Sequence, residues 1–315
     1  MQRKFPLVSV TALVTLAVVI ICAVAACKSS EKSGISLPET VSVYVVERSE
    51  IITLSYEDFI TGCVFGMLSP KSEKEALKSA ACAANTTALY LLENRKRFDN
   101  NGADFSTAVL PYQLPEDTRA QYGDSSDRYI EKVAECAREG IRSVILYEGA
   151  PICAACCAIS SGKTDSAAEV SEKAFPYLSS VSCEFDKEAQ GYESSSALTS
   201  DFVCKALRDR AQSAVLSGYP EKWFSEPSYS AGGTLLSVDY GGVTLSGAQL
   251  RSALGLRSAA IHIEYADDQF KFTCFGSGDN LGMSLNSANV LALQGEKMPD
   301  ILMYFYSGCE IGSAY

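Results

Sequence analysis

Apolar positions along this chain switch between a repeat near 3.6 and a repeat near 2, and the switches predict its elements. From Leu54 to Leu92 the spacing is helical. Ser55, with Asp58 three residues on, opens a first helix whose apolar face is Phe59, Ile60, Cys63 and Val64. Gly66 to Pro70 breaks the run, and Ser72 with Glu75 reads as a capping box for a second helix. The apolar face of that helix, Leu77, Ala80, Ala81, Ala84, Ala88, Leu91 and Leu92, is mostly small, which lets another element approach its backbone closely.

Further along, Ser126 caps a predicted helix carrying Ile130, Val133, Ala134 and Ala137, ended by Gly140. Val144 to Tyr147 reads as a strand, Glu148-Gly149 as a tight turn, and Pro151-Ile152 as the start of its partner. A second hairpin signal joins Thr234 to Tyr240, through Gly241-Gly242, to Val243 to Leu245. Ser246 then caps a short helix stopped by Gly255. Alternation in Ile261 to Tyr265 gives a strand with His262 and Glu264 on its polar face, paired through Asp267-Asp268 with Phe270 to Phe275. The expected architecture is α+β, two closely joined lobes with a cleft, at about 41–185 and 186–315.

The N-terminal pattern differs. Arg3 and Lys4 precede an uncharged apolar run from Phe5 to Ala26, long enough to span a bilayer at roughly 20 residues. It ends in Val24-Ala25-Ala26-Cys27, which looks like a box directing lipid attachment to a bacterial lipoprotein cysteine; the other reading is an uncleaved signal anchor. Either places the remainder outside the cytoplasm, held at the membrane, with residues 27–40 as a flexible tether. The net charge of −11 argues against a nucleic-acid surface.

Twelve cysteines are present, and ten follow Cys27. Cys153-Ala-Ala-Cys156-Cys157 has three readings: core packing, a disulfide with Cys183 as partner, or a metal site. Metal is disfavoured, because no second Cys or His pair sits at ligand spacing and His262 is the only histidine. Gly162-Lys163-Thr164 mimics the end of a phosphate-binding loop, but Cys157 stands where that loop needs glycine. Trp223 reads as a sugar-stacking platform or as core. No cofactor is expected.

Several segments carry a resemblance. Tyr56-Glu-Asp-Phe59, the Gly62-x-Val-x-Gly66 turn and Glu75-Ala-Leu-Lys-x-x-Ala-x-Ala-Ala-x-Thr86 look like the opening of the stage II sporulation protein D family, which includes amidase-enhancer domains. Phe175-Pro-Tyr-Leu-Ser-Ser-Val181 and Ile301-Leu-Met-Tyr-Phe-Tyr-Ser-Gly308 match later motifs, so the likeness runs from about Val41 to Ile311. Wall-cutting members are lytic transglycosylases whose catalytic glutamate follows the glycine of the turn. Here Met67 takes that position, and a thioether neither gives nor takes a proton. Where some members have zinc ligands, this chain has Ala103-Asp-Phe-Ser106 and Tyr112-Gln113. The family's Gly-x-Gly-His-Gly-Val-Gly-Met-Ser-Gln becomes Gly276-Ser-Gly-Asp-Asn-Leu-Gly-Met-Ser-Leu285, with Asp279 for the histidine.

The resemblance implies a glycan-binding set of Gln113, Ser160, Ser161, Gly162, Thr164, Gly278 and Ser284. Residues 160–164 read equally as an ordinary serine-rich turn. The expectation is a catalytically silent protein that binds peptidoglycan glycan strands, or a partner hydrolase or amidase. The alternatives are an active transglycosylase with Asp279 as relocated acid, and a purely structural lipoprotein.

Overall fold

The computed structural model describes residues 34–94, 100–171 and 175–315. The apolar run and Cys27 lie outside them. Among the described residues no helix is long and apolar enough to cross a membrane.

The fold is α+β, as expected, and packs around two main cores. In the first, β1 (Thr40–Val45) and β2 (Glu50–Ser55) form an antiparallel hairpin, with β3 (Phe105–Ser106) parallel to β1. Helix α1 (Tyr56–Met67) follows directly, capped by Ser55, whose oxygen accepts the Asp58 N–H at 3.1 Å. It continues one turn further than the sequence suggests, through Gly66 to Met67.

Helix α2 (Lys74–Glu93) is the centre of this lobe, with Leu77, Ala80, Ala81, Ala84 and Ala88 buried. Its predicted capping box does not form. Glu73 takes the cap position, and the Glu75 carboxylate instead accepts the Met298 N–H at 2.9 Å and pairs with Lys78. A distant amide outcompetes the local one because the C-terminal chain returns to this helix.

Helices α3 (Pro115–Tyr122) and α4 (Ser126–Gly140) follow, and the small-residue face of α2 receives α4. A Cβ built on Gly140 would lie 2.6 Å from that of Ala81. Buried Asn85 ties the layer together, accepting from the Tyr56 hydroxyl at 2.7 Å and donating to the carbonyls of Ile141 and Ser143. Strand β4 (Ser143–Tyr147) pairs with β5 (Ala150–Pro151) across the expected Glu148-Gly149 turn, where both residues have positive φ.

The second core lies between two three-stranded sheets and two helices. One sheet has the order β11-β12-β7, with β7 (Glu193–Thr199), β11 (Ile261–Ala266) and β12 (Gln269–Phe275). The other has the order β10-β9-β8, with β8 (Phe224–Tyr229), β9 (Leu235–Tyr240) and β10 (Val243–Leu245). After a one-turn helix α5 (Ala167–Val170), the helices of this core are α6 (Ser200–Leu207) and α7 (Gly247–Leu254), the last with the complete Ser246/Gln249 capping box and Gly255 in the left-handed region. Trp223 packs against Tyr240 and Phe270, and His262 is exposed, as the alternation required.

Two expectations about boundaries change. Short strands β6 (Cys156–Cys157) and β13 (Met283–Ser284) pair in parallel, and after them α8 (Leu285–Leu293) and α9 (Met298–Phe305) return to the first core, burying Ile301, Leu302 and Phe305 completely. The stretch 186–315 is thus shared between the two cores. The tether also ends earlier than residue 40: Ile35 and Leu37 pair with the chain's end through Ile35 N–H to Ser313 O at 2.9 Å and Leu37 N–H to Tyr315 O at 2.8 Å. Pairing of these apolar residues satisfies backbone groups that a free tether would leave to water.

Candidate functional site

Helix α1 ends at the mouth of a groove of about 460 Å³. Gly66 and half-buried Met67 form one lip, Ala83, Ala84 and Thr87 of α2 the floor, and Leu110 and Pro111 one wall. Cys153 to Cys156 line the other side, and Asp279, Leu281 and Leu285 close it. Tertiary structure therefore brings Met67 and Asp279, 212 positions apart in the numbering, to one cavity.

The chemistry of this lining is mostly apolar. The Thr87 hydroxyl is spent on the backbone of Ala154, accepting its N–H at 3.1 Å. The Cys156 thiol lies 3.5 Å from the Tyr306 hydroxyl, and burial pushes it up to about 12, so it is no nucleophile near neutral pH. Asp279 stands at the rim, its side chain 76% exposed and ion-paired with Arg251. A general acid acts from a position that holds its proton against the leaving oxygen. This carboxylate would first have to leave its guanidinium. Glu57 and Asp58 lie at the other end of α1, where Glu57 pairs with Arg138 at 3.4 Å and Asp58 accepts from Ser55 at 2.7 Å.

Gln113 lines a second groove of about 480 Å³ that also reaches Gly66, together with Glu47, Arg48, Tyr112 and Asp117. Its amide donates to Gln121 at 2.9 Å. Asp104 anchors strands, accepting from the backbone and hydroxyl of Ser42, each at 2.9 Å.

Of the remaining predicted residues, Ser160, Gly162, Thr164 and Ser284 are buried, and Ser161 and Gly278 are half-buried. Ser160, Thr164 and Ser284 are completely buried. The Ser160 N–H and the Ser284 hydroxyl both donate to Asp186 at 2.7 Å, and the Thr164 hydroxyl oxygen accepts the Val181 N–H at 2.9 Å. Ser161 donates to the Gly232 carbonyl and accepts from Asn280. Gly162 folds back on Ser160, and Gly278 abuts Cys157, where a Cβ would lie 2.9 Å away. These positions build the loops behind the groove.

Two buried carboxylates organise those loops, and neither stands out in the sequence. Asp186 accepts four hydrogen bonds, from Ser160 and Ser284 on one oxygen and from Asn286 (2.9 Å) and Ser287 (2.8 Å) on the other. Asp165 accepts from Ser230 and Thr234, each at 2.5 Å, and from Asn280 at 2.9 Å. Asn280 has φ +58, a conformation its short amide tolerates while it reaches Asp165. Gly282, at φ +68, lies where a Cβ would fall 1.9 Å from the Ala155 carbonyl oxygen. Only glycine lets the loop pass there.

All ten described cysteines are free thiols, and in the 153–157 run Cys157 is buried while half-buried Cys153 and Cys156 line the groove. Among the described residues no cluster of three His, Cys, Asp or Glu side chains could hold a metal ion.

No family model matches the chain. Curated relatives do. The chain is 26% identical to stage II sporulation protein D of Bacillus subtilis (strain 168) over 280 residues, covering 88% of this chain and 80% of the relative. It is 25% identical to stage II sporulation protein D of Bacillus amyloliquefaciens over 292 residues, covering 91% and 83%. An uncharacterized protein of Brachyspira hyodysenteriae is 26% identical over 266 residues, covering 82% and 67%. Similarity over about nine-tenths of its length to two proteins of that name supports the stage II sporulation protein D family, the one the sequence motifs resemble.

Proposed function

We propose that this chain binds peptidoglycan outside the membrane and serves sporulation or wall remodelling without cutting the glycan. The observation that carries the reading is Met67, a thioether on the lip of the groove where the family resemblance puts the catalytic glutamate. A lytic transglycosylase needs one acid to protonate the glycosidic oxygen and then, as carboxylate, to draw a proton from a muramic-acid hydroxyl. Loss of that group forfeits roughly 10²–10⁴-fold. The two grooves that meet at Gly66 suit a glycan strand: the apolar one accepts ring faces, and the one with Arg48, Gln113 and Asp117 accepts hydroxyls. The sporulation names of the Bacillus relatives support the biological setting. The N-terminal segment would hold the protein at the membrane, through lipid on Cys27 or as a signal anchor, where it could also modulate a hydrolase or amidase.

One observation favours the alternative of a working enzyme: Asp279 lines the same groove as Met67. Incubating the protein with cell-wall sacculi separates the two readings. Co-sedimentation without anhydro-muropeptides is the expected result, unchanged in Asp279→Asn. Anhydro products that disappear in Asp279→Asn would establish the relocated acid. A protein that stays in the supernatant would leave only a structural role.

A further inference from the structure

The groove beside Met67 offers a sugar little that is polar. Among its lining side chains only Thr87 and Asp279 carry oxygen, and none carries nitrogen. Thr87 uses its hydroxyl twice on the backbone of Ala154, accepting the N–H at 3.1 Å and donating to the carbonyl at 3.4 Å. Asp279 stands at the rim, ion-paired with Arg251. The backbone of the wall is engaged as well. The Cys153 N–H donates to the Tyr177 hydroxyl at 3.1 Å, and the Ala155 carbonyl accepts from the Met283 N–H at 3.0 Å and from the Tyr306 hydroxyl at 2.9 Å. What is left to line the space is methyl and methylene, from Met67, Ala83, Ala84, Leu110, Leu281 and Leu285. The neighbouring groove across Gly66, with Arg48, Gln113 and Asp117, is the polar one.

On a glycan strand the apolar parts are the ring faces and the methyl groups of the acetamido substituents. A hydroxyl or an ammonium pressed into this groove gives up its water without gaining a partner, and for the ammonium the loss is the larger. A methyl group loses nothing there and gains by burial. We propose that the groove reads the acetamido methyl groups, so that this protein takes N-acetylated glycan and discriminates against strands whose amino groups are free. The proposal rests on the glycan-binding reading above and adds the substituent that decides affinity. Such a preference runs against the simplest electrostatic expectation, because a chain of net charge −11 attracts a polycationic sugar.

The test is titration calorimetry of the full chain in detergent with two probes, the N-acetylglucosamine pentamer and its fully de-N-acetylated counterpart. Working at about pH 6 keeps the amines of the second probe protonated, and about 1 M salt screens charges beyond roughly 3 Å. The de-N-acetylated pentamer should bind at least about tenfold more weakly, the scale on which an apolar pocket discriminates a missing methyl-sized group. Leu281→Glu, at a half-buried position in the groove, sets a carboxylate among the apolar side chains and should narrow that ratio, whereas Leu281→Met should keep it. Both variants should retain the circular dichroism of the parent, which shows that they are folded. Equal affinity of the parent for the two sugars, or a ratio that a folded Leu281→Glu leaves unchanged, would overturn the proposal with glycan binding intact. Failure of both sugars to bind the parent would overturn the glycan-binding reading and this inference with it.

Discussion

At the scale of single residues, this molecule spends its carboxylates unequally. Asp186 is buried among four donors, whereas Asp279 projects into solvent with one arginine. Replacing Asp186 with Asn turns an amide donor toward groups that already donate and strands at least one of them. Urea denaturation should show a loss of roughly 1–3 kcal/mol, because an unmatched buried donor bears its full desolvation cost. Asp279→Asn should stay within about 0.5 kcal/mol, as surface changes do. A smaller loss for Asp186 than for Asp279 would contradict the assignment of Asp186 as the organiser of the loops. The sequence could not distinguish these two aspartates, since the partners of Asp186 come from residue 160 and from residues 284 to 287. Ser160, Thr164 and Ser284 looked like sugar contacts for the same reason: a hydroxyl's partner is invisible until the chain is folded.

At the scale of elements, helix α2 shows what small residues accomplish. Ala81 faces Gly140 so closely that neither tolerates extra atoms, and Ala81→Leu should cost about 1–3 kcal/mol or more through overpacking, read as a lowered urea midpoint. The Ser246 cap is a local device, and Ser246→Ala should cost about 1 kcal/mol with the fold intact by circular dichroism. Such elements were legible because their signals are short-range. The Ser55 cap, the Glu148-Gly149 and Gly241-Gly242 turns and the alternation of 261–265 are each decided within a few residues. The Ser72/Glu75 box had the right local signal and still failed, because Met298 offers Glu75 a better-placed donor. The β1 strand carried its own sign in the alternation of Val41, Val43 and Val45, all 3% exposed or less.

At the scale of the whole molecule, thiol burial sets an alkaline limit on stability. Burial lifts Cys82 and Cys156 from the ordinary 9.0 to about 12, and Cys183 and Cys309 to about 11. Between pH 9 and about 11 the unfolded chain releases these protons while the folded one keeps them, so stability falls as pH rises, by about 1.4 kcal/mol per unit for each such thiol. Urea midpoints under reducing conditions should therefore be flat from pH 7 to 8.5 and drop steeply by pH 10. A midpoint at pH 10 equal to that at pH 7 would mean that the thiols are not buried as described. What the amino-acid order determined alone was most of the central helices, the hairpins after residue 140 and the glycine turns, because periodicity, caps and positive φ are local physics. Only the tertiary structure decided which polar groups are consumed internally, that Asp279 shares a groove with Met67, and that the last thirty or so residues complete the first core. Those outcomes depend on partners well separated along the chain, where hydrogen bonding and packing leave no periodic trace.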